Sequence, residues 1–198
     1  ATHESELEHM NKVYNNGKAN GVEDLELIDA KRIKEIEPLV EGIAGIWVGC
    51  TGIIDFPGVT RKLGELLEQK FPGSKVFTKT EAQDFVHHGA TTDIITNNGT
   101  FTAKYIVTCA GLQSDRIAKK EGTKSDAAIV GFRGDYYDLT EIGMKKVKNL
   151  IYPVPNPKYP FLGVHFTRMV HGGVECGPNA VFVFKREGYK RTSFSFRD

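Results

Sequence analysis

The segment from Lys75 to Cys109 constrains this chain most, because it strings three β-branched runs together with connections too short to hold a helix. Lys75 to Val86 and Ala90 to Thr96 are separated by HisHisGly, and Asn97, Asn98 and Gly99 make a turn signal ahead of Thr100 to Cys109. Strands joined this tightly run antiparallel, so the segment predicts a β-meander. His87 and His88 read as part of the first turn. In a strand they would point to opposite faces, with no Cys or carboxylate ligand at metal-binding spacing.

Helical patterns flank the meander. Leu7, Met10 and Tyr14 fall at i, i+3 and i+7 and predict a helix from Ser5 to about Lys18, ending near Gly17 or Gly21. Asp29 is placed to cap a second helix whose buried edge is Ile33 and Ile36 and which Pro38 stops. The apolar stretch Gly42 to Asp55 is broken by Gly42, Gly45, Gly49 and Gly52, and reads as strand or loop passing close to other backbone. A helix from Val59 to Phe71 sets Val59, Leu63, Leu66 and Leu67 on one face, and another is expected from Ser114 to Lys120. Beyond it the chain turns β-rich, with strands expected over Ala128 to Leu139, Phe161 to Met169 and Val174 to Phe184. The last two form a hairpin across His171, Gly172 and Gly173, and the proline-studded residues 152–160 read as an extended connector. The expected fold class is α+β with a mostly antiparallel second half, divided at 1–125 and 126–198.

Composition removes several functions. Lys plus Arg number 26 against 25 for Asp plus Glu, and no basic run is interleaved with aromatics, which excludes a nucleic-acid binder. The most apolar stretch, Ile43 to Val48, falls far short of the roughly 20 residues that span a bilayer. Cys50, Cys109 and Cys176 are odd in number and far apart, so neither a disulfide framework nor a CxxC site is expected, which favours a reducing compartment. The opening residues lack an initiator Met and a signal-peptide core, and begin on a helical pattern, as a truncated chain would. The LysArgGlu run at 185–187 and the LysLys pairs at 119–120 and 145–146 read as solvated charges.

TyrIleValThrCysAlaGly (105–111) reads as a β-branched strand ending in small residues before a helix, an arrangement that lets backbone approach a bound nucleotide and that also occurs for purely structural reasons. Together with PheArgGlyAspTyrTyrAspLeu (132–139) and the long stretches 150–169 and 174–189, it resembles the L-2-hydroxyglutarate oxidase branch of the flavoenzymes that include D-amino-acid oxidase. The resemblance covers nearly the whole chain. It implies an antiparallel substrate-binding sheet plus part of an FAD-binding α/β lobe, with the GxGxxG strand-turn-helix lying outside these residues. It also implies FAD as cofactor, a small 2-hydroxy acid as substrate, oxygen or a quinone as electron acceptor, and a cytoplasmic enzyme or one peripheral at the inner face of a membrane. The implied FAD contacts are Ala82, Cys109, Ala110 and Gly111. Holding such a dianionic substrate asks for cationic groups and hydroxyl or amide donors on rigid strands, and the candidates are His165 and Arg168 for catalysis and Arg133, Tyr137, Thr167 and Asn179 for substrate binding.

Strand period tests that set. His165 shares a face with Gly163 and Thr167, whereas Arg168 lies with Val164 and Phe166, so both reach one cavity only if a bulge re-aims Arg168. Without a bulge, His165 and Thr167 are the site face. The same alternation groups Arg133, Asp135 and Tyr137 opposite Phe132 and Tyr136. Two other readings stand beside this one: an amino-acid or glycerol-phosphate flavin oxidase of the same superfamily, and a flavin-free domain that binds a ligand or partner.

Overall fold

A computed structural model describes residues 1–124, 126–159 and 161–198. Ser125, at the expected domain division, and Pro160, at the end of the expected connector, lie outside them. In chain order the helices are α1 (Leu7–Ala19), α2 (Ala30–Ile36), α3 (Phe56–Lys70), α4 (Ser114–Lys120) and α5 (Glu141–Met144). The strands begin with β1 (Leu25–Asp29), β2 (Ala44–Val48), β3 (Ala82–His88), β4 (Thr91–Thr96) and β5 (Gly99–Ala103). They continue with β6 (Phe132–Arg133), β7 (Tyr137–Asp138), β8 (His165–Arg168), β9 (Val174–Gly177) and β10 (Val181–Phe182). Two compact units result, each built from two stretches: Ala1–Phe56 with Gly134–Val181, and Pro57–Arg133 with Phe182–Asp198.

In the first unit α1 buries Met10 and half-buries Leu7 and Tyr14, the stripe its spacing predicts. β1 and β2 pair antiparallel, Leu25 opposite Val48 and Asp29 opposite Ala44. Asp29 then caps α2, its carboxylate accepting from the Arg32 amide at 2.8 Å. Directly after α2, the buried Glu37 carboxylate accepts from the Lys148 amide at 3.0 Å, the Asn149 amide at 2.5 Å and Asn149 Nδ2 at 2.9 Å. That pins the end of α2 to the segment following α5. The remaining strands form a three-stranded sheet in the order β7-β9-β8.

In the second unit β3, β4 and β5 make the meander, antiparallel throughout. Phe85, Ile94 and Phe101 form one cross-strand row, with Phe85 buried and the Phe77 ring 4.7 Å from that of Phe101. β6 pairs with β10 in a separate two-stranded sheet.

Several expectations change. His87 and His88 lie in β3, opposite Thr92 and Thr91, and the turn follows them. The first meander strand starts at Ala82 rather than Lys75, and the third ends at Ala103 rather than Cys109. Residues 105–109 therefore join no ladder among the described residues, and Tyr105 and Val107 are 91% and 87% exposed. The expected strand from Ala128 to Leu139 breaks at Gly134–Tyr136, so the alternation drawn from Arg133 through Tyr137 does not hold. Gly177 explains the break: a Cβ there would sit 2.9 Å from the Asp135 carbonyl and 2.9 Å from the Tyr136 ring, so this backbone crossing needs a residue without one.

Candidate active site

Most of the expected substrate groups lie in the first unit. β8 and β9 pair without a register shift, His165 opposite Gly177, Phe166 opposite Cys176, Thr167 opposite Glu175 and Arg168 opposite Val174. With no bulge to re-aim Arg168, the pleat sets it on the face opposite His165 and Thr167. Tyr137 pairs with Cys176 on β9 and so shares the face of Phe166 and Arg168.

His165 is buried and closely held. Its Nδ1 lies 3.0 Å from the Gly163 carbonyl. Its ring stacks on Tyr152 at 4.9 Å and 25° and meets the edge of Tyr136 at 6.3 Å and 82°. A carbonyl only accepts, so Nδ1 carries the hydrogen and Nε2 of the neutral ring keeps its lone pair as a proton acceptor. Tyr152 is a partner that sequence reasoning missed, since the connector carrying it has no periodic pattern to align it with a strand.

Arg168 donates through Nη1 to the Val147 carbonyl at 2.7 Å. It borders a shallow depression of about 490 Å³ together with Glu141, Lys145 and Lys148. Asn179 is exposed and accepts from the Asp135 amide at 2.9 Å through Oδ1, which leaves the Nδ2 hydrogens to donate. A larger groove of about 800 Å³ in this unit has walls formed mainly of apolar side chains such as Met10, Ile33, Trp47 and Phe166. Glu6, Glu37 and Glu41 also line it and no lysine or arginine among the described residues does, so its walls do not suit a dianion.

The second unit holds Arg133, half-buried in β6, and all four expected cofactor contacts. Ala82 opens β3 opposite Thr96, just before a bulge at Ala82/Asp84. Cys109 and Gly111 are exposed at the 3-10 turn Gly111–Gln113 that leads into α4. The far end of α4 reaches β3, where Lys120 donates to the Gln83 carbonyl and Glu121 lies 3.4 Å from His87. Gly111 has φ +52, the left-handed region that disfavours any Cβ, and a Cβ there would meet nothing within 4 Å.

Behind this turn lies a group read from the sequence as solvated. Lys185 and Glu187 are exposed, but the Arg186 side chain is only 8% exposed and pairs with Asp115, which is 9% exposed. Arg186 Nη2 donates to Asp115 Oδ2 at 3.0 Å, a second bond joins Nη1 to Oδ1, and Nη1 also donates to the Leu112 carbonyl at 2.7 Å. Asp115 further accepts from the amides of Arg116 at 2.8 Å and Ile129 at 3.2 Å. The Arg186 guanidinium, ahead of these amides, holds the Asp115 carboxyl well below the usual carboxylate range.

The fold resembles that of glycine oxidase from Bacillus cereus, with a TM-score of 0.69 at 17% identity, over 93% of this chain and 49% of that one. Residues 1–197 match the FAD dependent oxidoreductase family, and the chain belongs to it. Among its relatives is an L-2-hydroxyglutarate dehydrogenase from Indibacter alkaliphilus, 43% identical over all of this chain and 49% of the relative. Another of that name, from Escherichia coli strain K12, is 38% identical over all of this chain and 46% of the relative. The chain thus spans about half the length of the relatives it matches.

The residues present fit part of an FAD site. Small, exposed residues with open space before Gly111 suit close approach of a flat or sugar-bearing group. No GxGxxG occurs among the 198 residues, so this chain supplies no such loop for the pyrophosphate.

Proposed function

We propose that the whole protein oxidises L-2-hydroxyglutarate, or a close 2-hydroxy acid, to the 2-oxo acid with FAD, passing electrons on to oxygen or a quinone. The observation that carries this reading is the match of the entire chain, at up to 43% identity, to proteins named L-2-hydroxyglutarate dehydrogenase. Ala82 and the Cys109, Ala110, Gly111 turn hold part of the FAD. When bound, FAD would supply the two-electron acceptor for the hydride that leaves C2 of the substrate. His165 Nε2 takes the hydroxyl proton, its ring kept in the right tautomer by the Gly163 carbonyl and in place by Tyr152. Thr167 shares that face, and Asn179 Nδ2 donates to a substrate carboxylate. The regular β8–β9 pairing supports His165 and Thr167 as the reacting face and separates Arg168 from it.

No helix among the described residues is long and apolar enough to cross a membrane, and the reading assigns the protein to the cytoplasm or the inner face of a membrane. Initial rates of the whole protein with a dye acceptor test the substrate. L-2-hydroxyglutarate should exceed glycine and glycerol 3-phosphate in kcat/KM by about a hundredfold or more, because glycine has no hydroxyl for His165 to deprotonate and glycerol 3-phosphate has no carboxylate for Asn179 to meet. Preference for an amine or for glycerol phosphate would overturn it.

A further inference from the structure

We infer that Arg186, paired with Asp115, is a positioning residue that fixes the Gly111–Gln113 turn in the shape FAD meets. The inference rests on the reading above that this turn contacts FAD, and adds what shapes it. Three successive carbonyls of the turn are tied inward. The Ala110 carbonyl accepts from the Gln113 amide at 2.9 Å, the Gly111 carbonyl from Ser114 Oγ at 2.8 Å and the Leu112 carbonyl from Arg186 Nη1 at 2.7 Å. The first two bonds are local, whereas the third comes from a residue 74 positions away. Gln113 Nε2 adds a second tie to the same arm, donating to Glu187 at 2.9 Å. The back of the turn is therefore clamped while its Gly111 front stays open.

Stability alone is a poor account of this pair. Burying a guanidinium and a carboxylate costs desolvation that an apolar pair of equal volume avoids, and Arg186 Nε is buried with no hydrogen-bond partner among the described residues. The pair delivers geometry instead: a planar fork that meets the carboxylate with two nitrogens and the Leu112 carbonyl with one of them, which a lysine ammonium cannot reproduce.

The test compares the whole protein with Arg186→Lys and Asp115→Asn, measuring FAD affinity by quenching of flavin fluorescence and thermal stability of the apoprotein by circular dichroism. Both variants should weaken FAD binding by about tenfold, the loss typical of removing a partner that orients a ligand-holding group. The change should exceed any fall in apoprotein melting temperature and alter the flavin circular dichroism bands. Unchanged FAD affinity, with or without a lower melting temperature, would make the pair merely structural and overturn the inference. Wild-type protein that binds no FAD would instead overturn the functional reading beneath it. Where a variant does not fold, hydrogen exchange of the wild-type apoprotein decides. Slow exchange of the Gln113 amide, which donates to the Ala110 carbonyl, before FAD is added supports the clamp, and fast exchange slowed only by FAD refutes it.

Discussion

Asp115 shows how one side chain's surroundings set its response to pH. Its folded carboxyl titrates below the unfolded value of about 3.9, so its contribution to stability is complete above that pH and fades as pH falls through the folded value. Urea midpoints measured from pH 5 to pH 2 should therefore drop less steeply in Asp115→Asn than in the wild type, and parallel curves would contradict the pairing. Glu37 makes a different prediction. Glu37→Ala strips the part-buried amides of Lys148 and Asn149 of their acceptor and should cost about 2 to 3 kcal/mol in urea unfolding, where a loss under about 0.5 would show that water replaces it. At the proposed reacting face, His165→Asn should lower kcat by about a hundredfold or more with little change in KM, while Arg168→Met, on the opposite face, should leave kcat within about twofold. Equal losses in both would contradict that geometry. The separation of His165 from Arg168 was legible from strand period on the condition that no bulge intervenes, a condition that the unshifted β8–β9 register meets. The burial of Arg186 was not, because its partner lies 71 residues away and nothing local distinguishes it from its charged neighbours.

At the scale of elements, legibility followed the strength of local signals. α4 spans Ser114 to Lys120 as expected, and α2 begins where Asp29 caps it, since capping and apolar period act within a few residues. The β8–β9 hairpin across His171, Gly172 and Gly173 also follows from turn chemistry. β1 was missed because LeuGluLeuIleAsp is short and sits between two helical patterns; its partner β2 comes fifteen residues later, past α2. The strand breaks at 134–136 and after Gly177 do carry local signals, since Gly134, Asp135, Pro178 and Asn179 are residue types depleted in strands, but the apolar and aromatic residues on either side outweigh them in a reading by pattern. Gly177→Ala tests that approach. The added methyl meets Asp135 and Tyr136 and should destabilise by about 1 to 3 kcal/mol, whereas a neutral substitution would mean that the crossing is looser than it is drawn.

For the whole molecule, the chain buries few of its large apolar side chains. Among the described residues Met10, Ile33, Phe85, Val147 and Val174 are the buried ones, while Phe56 is 70% exposed, Ile142 74% and Phe196 fully exposed. Apolar surface of this extent predicts concentration-dependent self-association of these 198 residues in sedimentation velocity, and a monomer at every concentration would contradict it. The chain belongs to the FAD dependent oxidoreductases and covers about half the length of the dehydrogenase relatives it matches. The most direct test is the visible spectrum of the whole protein with FAD, followed by anaerobic addition of L-2-hydroxyglutarate. Bound flavin whose absorption band bleaches on mixing is the predicted result, and bound flavin that stays oxidised with this substrate but bleaches with an amine or glycerol phosphate would contradict the proposed function.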